Sequence, residues 1–81
     1  MYIGIKSVVA LSDYKLFLTF DTNEEKIFDM KKHLDYGMFK ELKDEKLFKT
    51  VHISFDSIEW ENGADIDPEI LYNESEVNKL K

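Results

Sequence analysis

From Tyr14 to Phe20 the chain alternates strictly, with Tyr14, Leu16, Leu18 and Phe20 on one face and Lys15, Phe17 and Thr19 on the other. Such alternation marks a strand with one face against a core. Ile5 to Leu11 is a shorter β-prone run, closed by the turn signal Ser12-Asp13. Asp21 to Glu25 is a polar connection of hairpin length, after which Lys26-Ile27-Phe28-Asp29-Met30 resumes the apolar pattern. The first part of the chain therefore reads as an antiparallel meander of three strands. The period then changes: Leu34, Met38, Phe39 and Leu42 recur at steps of three and four, which predicts a short amphipathic helix starting near Tyr36-Gly37. Leu47 and Phe48 prolong its apolar face. Alternation returns from Thr50 to Phe55, Asp56-Ser57 signals a turn, and Ser57 to Trp60 supplies the returning strand of a second hairpin.

Turn and cap residues crowd between Trp60 and Tyr72. Asn62-Gly63 accepts positive φ readily and marks a tight turn after a strand ending in Trp60. Asp67 is placed to accept from a free amide of a first helical turn, and Pro68 suits the first helical position, where no N–H is needed. That helix is expected to end near Asn73 to Glu76. The prediction is an α+β fold of order β-β-β-α-β-β-α, with the strands in a small antiparallel sheet and the helices packed on one face. One domain over residues 1–76 is expected, with the tail 77–81 fraying.

Composition narrows the range of functions. With 81 residues there is room for one core, and 43% hydrophobic with 14% aromatic content is enough to fill it. No cysteine is present, which removes disulfides, thiolate metal sites and cysteine nucleophiles. No stretch reads as a leader or a membrane span, so a cytoplasmic location and no membrane partner are expected. Seventeen acidic residues oppose 11 basic ones, for a net charge of −6, and every basic residue is lysine. Without arginine the bidentate fork that reads guanine and grips phosphate is missing. The expectation is that nucleic acid is not a partner and that the negative field favours a basic protein.

No constellation of catalytic chemistry emerges. Asp65, Asp67 and Glu69, with Asn62 nearby, offer hard oxygen ligands but do not fit the spacing of a calcium loop. His33 and His52 fall in different elements, and His52 points opposite Val51 and Ile53, to the solvent side. No serine has nucleophile-elbow context and the three glycines make no phosphate loop. A non-enzymatic protein with no cofactor, no metal and no catalytic residue is expected. Of the aromatic residues Tyr36, Phe39, Phe48, Phe55, Trp60 and Tyr72, most are assigned to the core. Trp60 and Tyr72, whose polar tips seek a partner or water, are the candidates for a protein interface. Asn62, Gly63, Asp67 and Pro68 are read as structural turn and cap residues. A free sheet edge offers a second interface, suited to a homodimer. The competing reading is a small ligand-binding or catalytic domain with a pocket near Trp60, Asp65 and Tyr72.

These residues also carry a resemblance. The order Tyr14-x-Leu16-x-Leu18-x-Phe20-Asp21, Ile27-x-Asp29, Gly37-Met38-Phe39-x-x-Leu42-x-Asp44, Phe48-x-x-Val51 and Ile58-x-Trp60-x-Asn62-Gly63-x-Asp65-Ile66-x-Pro68-x-x-Leu71-Tyr72 resembles the small prokaryotic family of domains of unknown function numbered 2442. It departs from that pattern at two turns: Glu61 stands where the family often has proline, and Thr22-Asn23 replaces an Asp-Gly turn. The resemblance implies no enzymatic activity. It implies instead an antitoxin-like role beside a small toxin of a second family, numbered 4160, encoded by an adjacent gene.

Overall fold

Leu16, Leu18 and Phe20 have no exposed surface, while Lys15, Phe17 and Thr19 between them stay half-buried. One strand thus fixes which way the main sheet faces. The structure, a computed structural model, describes residues 3–77. β1 (Ile5–Leu11), β2 (Lys15–Phe20) and β3 (Glu25–Asp29) form the expected antiparallel meander. The β1–β2 turn holds Asp13 and Tyr14 at positive φ, and in the next turn Asn23 at φ +72° takes the left-handed conformation that asparagine tolerates well.

The helical middle is tighter than an amphipathic α-helix. Lys31–His33 and Gly37–Lys43 are 3₁₀ segments, followed by α1 (Glu45–Phe48), a single turn capped by the Asp44 carboxylate on the Lys46 amide at 3.0 Å. Three residues per turn eclipse Phe39 with Leu42 on the inner side and turn Met38 outward, where it is half exposed. Two further strands were not legible in the sequence. β4 (His52–Ser54), β5 (Ser57–Glu59) and β6 (Asp65–Ile66) form a separate three-stranded antiparallel sheet. α2 (Pro68–Glu74) leads into β7 (Glu76–Val77), which pairs with β3 and completes a four-stranded sheet of order β1-β2-β3-β7. Val77 thus faces Lys26 in register, and residues 78–81 of the expected tail lie outside the described residues.

The strands therefore form two antiparallel sheets where one was expected. They meet at Gly4: the Asp21 amide donates to the Gly4 carbonyl at 2.9 Å, and the Ile5 amide donates to the Asp56 carbonyl at 2.9 Å. A Cβ on Gly4 would lie 2.5 Å from the Asp21 carboxylate oxygen and 3.3 Å from the Asp56 Cβ, so a larger residue there would turn the Asp21 side chain aside. Between the sheets Leu16, Leu18, Phe20 and Phe28 join Leu42, Phe48, Ile58, Trp60 and Leu71 in one apolar core.

Candidate functional site

Trp60 follows β5, and only 1% of its surface is exposed. Its Nε1 donates to the Phe48 carbonyl at 2.9 Å, and Phe48 and Phe39 pack against the ring. The N–H that suggested an interface has found its acceptor inside the protein. A ring so enclosed offers no surface to a partner, and Trp60 is corrected from interface candidate to core residue.

Tyr72 lies on α2 and is half-buried. Its hydroxyl donates to Glu24 at 2.8 Å, its ring meets Phe20 edge-on, and the Lys26 ammonium sits 3.7 Å from the ring centroid. Lys26 also donates to the Tyr72 carbonyl at 3.0 Å. These bonds hold the Glu24 carboxylate below its usual range, chiefly through the Tyr72 hydroxyl, and push the Tyr72 phenol up. The Tyr72 hydroxyl on Glu24 and the Lys26 ammonium on the Tyr72 carbonyl tie α2 to the main sheet and its β2–β3 turn.

The turn and cap residues serve geometry. Asn62 accepts from the Ala64 amide at 3.0 Å and donates to Glu41 at 3.0 Å and to the Met38 carbonyl, while Gly63 adopts φ +90°. Asp67 accepts from the Glu69 amide at 2.8 Å, with Pro68 at the start of α2.

Asp65 lines a groove of about 440 Å³ with Phe55, Asp56, Glu59, Asp67 and Pro68 among its walls. Tyr72 lines a separate, smaller depression of about 190 Å³ with Ile3, Glu69 and Asn73. Trp60 lines neither, so the three residues expected around one pocket are not brought together there. The groove adjoins the β4–β5 turn, which is Phe55-Asp56 and not Asp56-Ser57 as the sequence suggested, since Ser54 pairs with Ser57. That shift of one residue places Phe55 at the tip, 98% exposed.

Sequence reasoning also passed over the outer face of the four-stranded sheet. Val9 pairs with Phe17 and Phe17 with Ile27, a row of apolar side chains across three strands on the side away from the core. Val9 is 52% exposed, Phe17 and Ile27 are half-buried, and among the described residues no helix or strand is assigned to this side of the row. The signal was present as Phe17, an aromatic residue on the polar face of the clearest strand.

The titratable groups are spread over the surface. The His33 Nε2 lies 3.0 Å from Glu74 and the His52 Nε2 lies 3.6 Å from Glu59. Hydrogen bonds from His33 and then Lys32 hold Glu74 below its usual range. Among the described residues no group of three or more His, Cys, Asp or Glu side chains is placed to hold a metal ion, and no helix is long and apolar enough to cross a membrane.

Comparison with known proteins places the fold. The structure is similar to the crystal structure of "Putative DNA Binding Protein NE0471" from Nitrosomonas europaea ATCC 19718, with a TM-score of 0.80 and 24% identity over 93% of this chain. The chain spans 50% of that protein's length. No curated protein matches the sequence. The name of this neighbour overturns the expectation that nucleic acid is not a partner. That expectation rested on the absence of arginine and on net charge; lysine still offers phosphate a point charge, net charge describes only the far field, and Lys31, Lys32, Lys40, Lys43, Lys46 and Lys49 all fall in the helical middle. From Trp60 to Tyr72 the residues that carried the family resemblance are those that build the Asn62-Gly63 turn, the Asp67 cap and α2. Over residues 5–76, nearly its whole length, the chain matches the family described as "Protein of unknown function (DUF2442)", and it belongs to that family.

Proposed function

We propose that the chain is a protein-interaction domain without chemistry of its own, which works as an antitoxin-like neutraliser by covering a small basic partner. The observation that carries this reading is the apolar row Val9, Phe17 and Ile27 on the outer face of the sheet. An antireparallel sheet that meets water on one face normally carries polar residues there, and a row of apolar side chains marks a face that another molecule covers. The rim beside Ile27 includes Asp29, Glu74 and Glu76 together with Lys15 and Lys32. With a net charge of −6, the domain attracts a basic protein and speeds its encounter.

Co-expression with the product of the neighbouring gene tests the reading. The expected result is a complex that co-purifies, relief of that product's toxicity, and loss of both on Phe17→Lys. Growth inhibition that persists with no complex formed would sink it.

DNA contact is the second reading, favoured by the name of the similar structure and by the lysines between Lys31 and Lys49. It predicts retention on duplex DNA that weakens steeply with salt, and loss of retention on Lys46→Glu.

A further inference from the structure

The β4–β5 tip presents a different surface. Phe55 occupies the first position of a two-residue turn between the paired Ser54 and Ser57, at φ +56°. Glycine, asparagine and aspartate adopt this left-handed conformation at low cost, whereas an aromatic residue there is strained. At 98% exposure the ring repays none of that strain through packing within the fold. The tip itself is anchored. The Asp56 carbonyl accepts the Ile5 amide at 2.9 Å, and the Ser57 hydroxyl donates to the Ile66 carbonyl. A solvent-exposed aromatic side chain carried on an anchored turn is the kind of group that fills a pocket on a partner.

The adjoining groove has one sign of charge. Asp56, Glu59, Asp65 and Asp67 line it, and among the described residues no lysine does. Asp67 is engaged at the start of α2 and Glu59 lies near His52, which leaves Asp56 beside Phe55 in the turn and Asp65 farther along the groove, opposite Glu59. From Thr50 to Val77 the chain contains neither lysine nor arginine, so a cation approaching here meets no like charge from its own stretch.

We infer that the Phe55 tip and its acidic groove form a docking site for a basic segment of a partner protein. The ring enters an apolar pocket of that partner, and lysine or arginine side chains lie against Asp56 and Asp65. A second copy of this chain is the wrong occupant, because it would bring another acidic groove to an acidic groove. The inference rests on the reading that the domain acts by protein contact, and it uses a surface separate from the Val9, Phe17 and Ile27 row.

The test uses the whole chain and an array of immobilised short peptides in which lysine and arginine alternate with leucine or isoleucine, with glutamate-rich counterparts as controls. Basic peptides should be retained and acidic ones not. Phe55→Gly should weaken retention about tenfold, the scale of a single anchor residue, with no fall in melting temperature. Asp65→Asn should weaken it about threefold and flatten its salt dependence. Phe17→Lys should leave it unchanged. Equal retention of acidic peptides, no retention at all, or wild-type retention by Phe55→Gly overturns the docking site. Loss on Phe17→Lys with none on Phe55→Gly would assign the binding to the sheet face instead, leaving the proposed function standing without this site.

Discussion

Trp60 and Phe55 flank β5 on opposite sides, and their surroundings differ in every respect. Trp60 is enclosed by Phe39 and Phe48, with its N–H bonded to the Phe48 carbonyl. Phe55 stands in water on a left-handed backbone. Both are large aromatic side chains in an acidic stretch of the chain. The difference arises from the turns. The Asn62-Gly63 reversal folds Trp60 back over the helical middle, whereas the Phe55-Asp56 reversal points its first side chain away from both sheets. An aromatic residue inside a turn is a surface feature unless another element reaches over it, and nothing reaches over this one.

The sharpest way to break the comparison is Trp60→Ala. It should cost about 3–5 kcal/mol of stability, through lost burial and a cavity between the sheets, read from urea midpoints by circular dichroism. A cost under about 1 kcal/mol would mean that Trp60 is no core residue. Gly63→Ala tests the turn that buries Trp60. The new methyl would meet only the Met38 methyl at 3.7 Å, so the expected loss of about 1–2 kcal/mol is purely conformational, arising at φ +90°. Phe55→Gly should leave stability unchanged or raise it by up to about 1 kcal/mol, since relief of the left-handed strain opposes the extra chain entropy of glycine. If the same substitution lowered stability as Trp60→Ala does, the contrast would collapse.

The smallest effect concerns acid. Glu74 is held below its usual range by His33 and then Lys32, so the folded state binds its proton less readily than the unfolded chain. Its contribution is present above the usual glutamate range and fades as the pH falls through the lowered value. Glu74→Gln should slightly flatten the acid side of a melting-temperature profile, because the pair is exposed and screened.

The meander of β1 to β3 was legible because its alternation is long and one face is buried throughout. The Asp67-Pro68 start of α2 was legible because its chemistry is local. What escaped depends on tertiary contact. The division of seven strands into two sheets is a matter of tertiary contact, such as that of Gly4 and Ile5 with Asp21 and Asp56, residues far apart in sequence. β6 and β7 span two residues each, too short for any period to register. Steps of three and four predict an α-helix, but in the 3₁₀ segment only the step of three from Phe39 to Leu42 keeps one face, and Met38, four before Leu42, turns outward. Of the candidate surface, the aromatic residues were visible but not their directions. Trp60 and Phe55 exchanged roles once the register of the β4–β5 hairpin was known.

The path of the last described residues has a bearing on how the molecule opens. The chain leaves the three-stranded sheet at Ile66, crosses as α2, and enters the four-stranded sheet at Glu76. Lys26 clasps Tyr72 on the way, and Leu71 plugs the core beneath. This stretch works as a buckle between two halves that also share the apolar core and meet along β1. Loosening the first turn of α2 frees both ends of the buckle together, so amide protons at the β3 and β5 margins should exchange with solvent as one cooperative unit, well before those of β2.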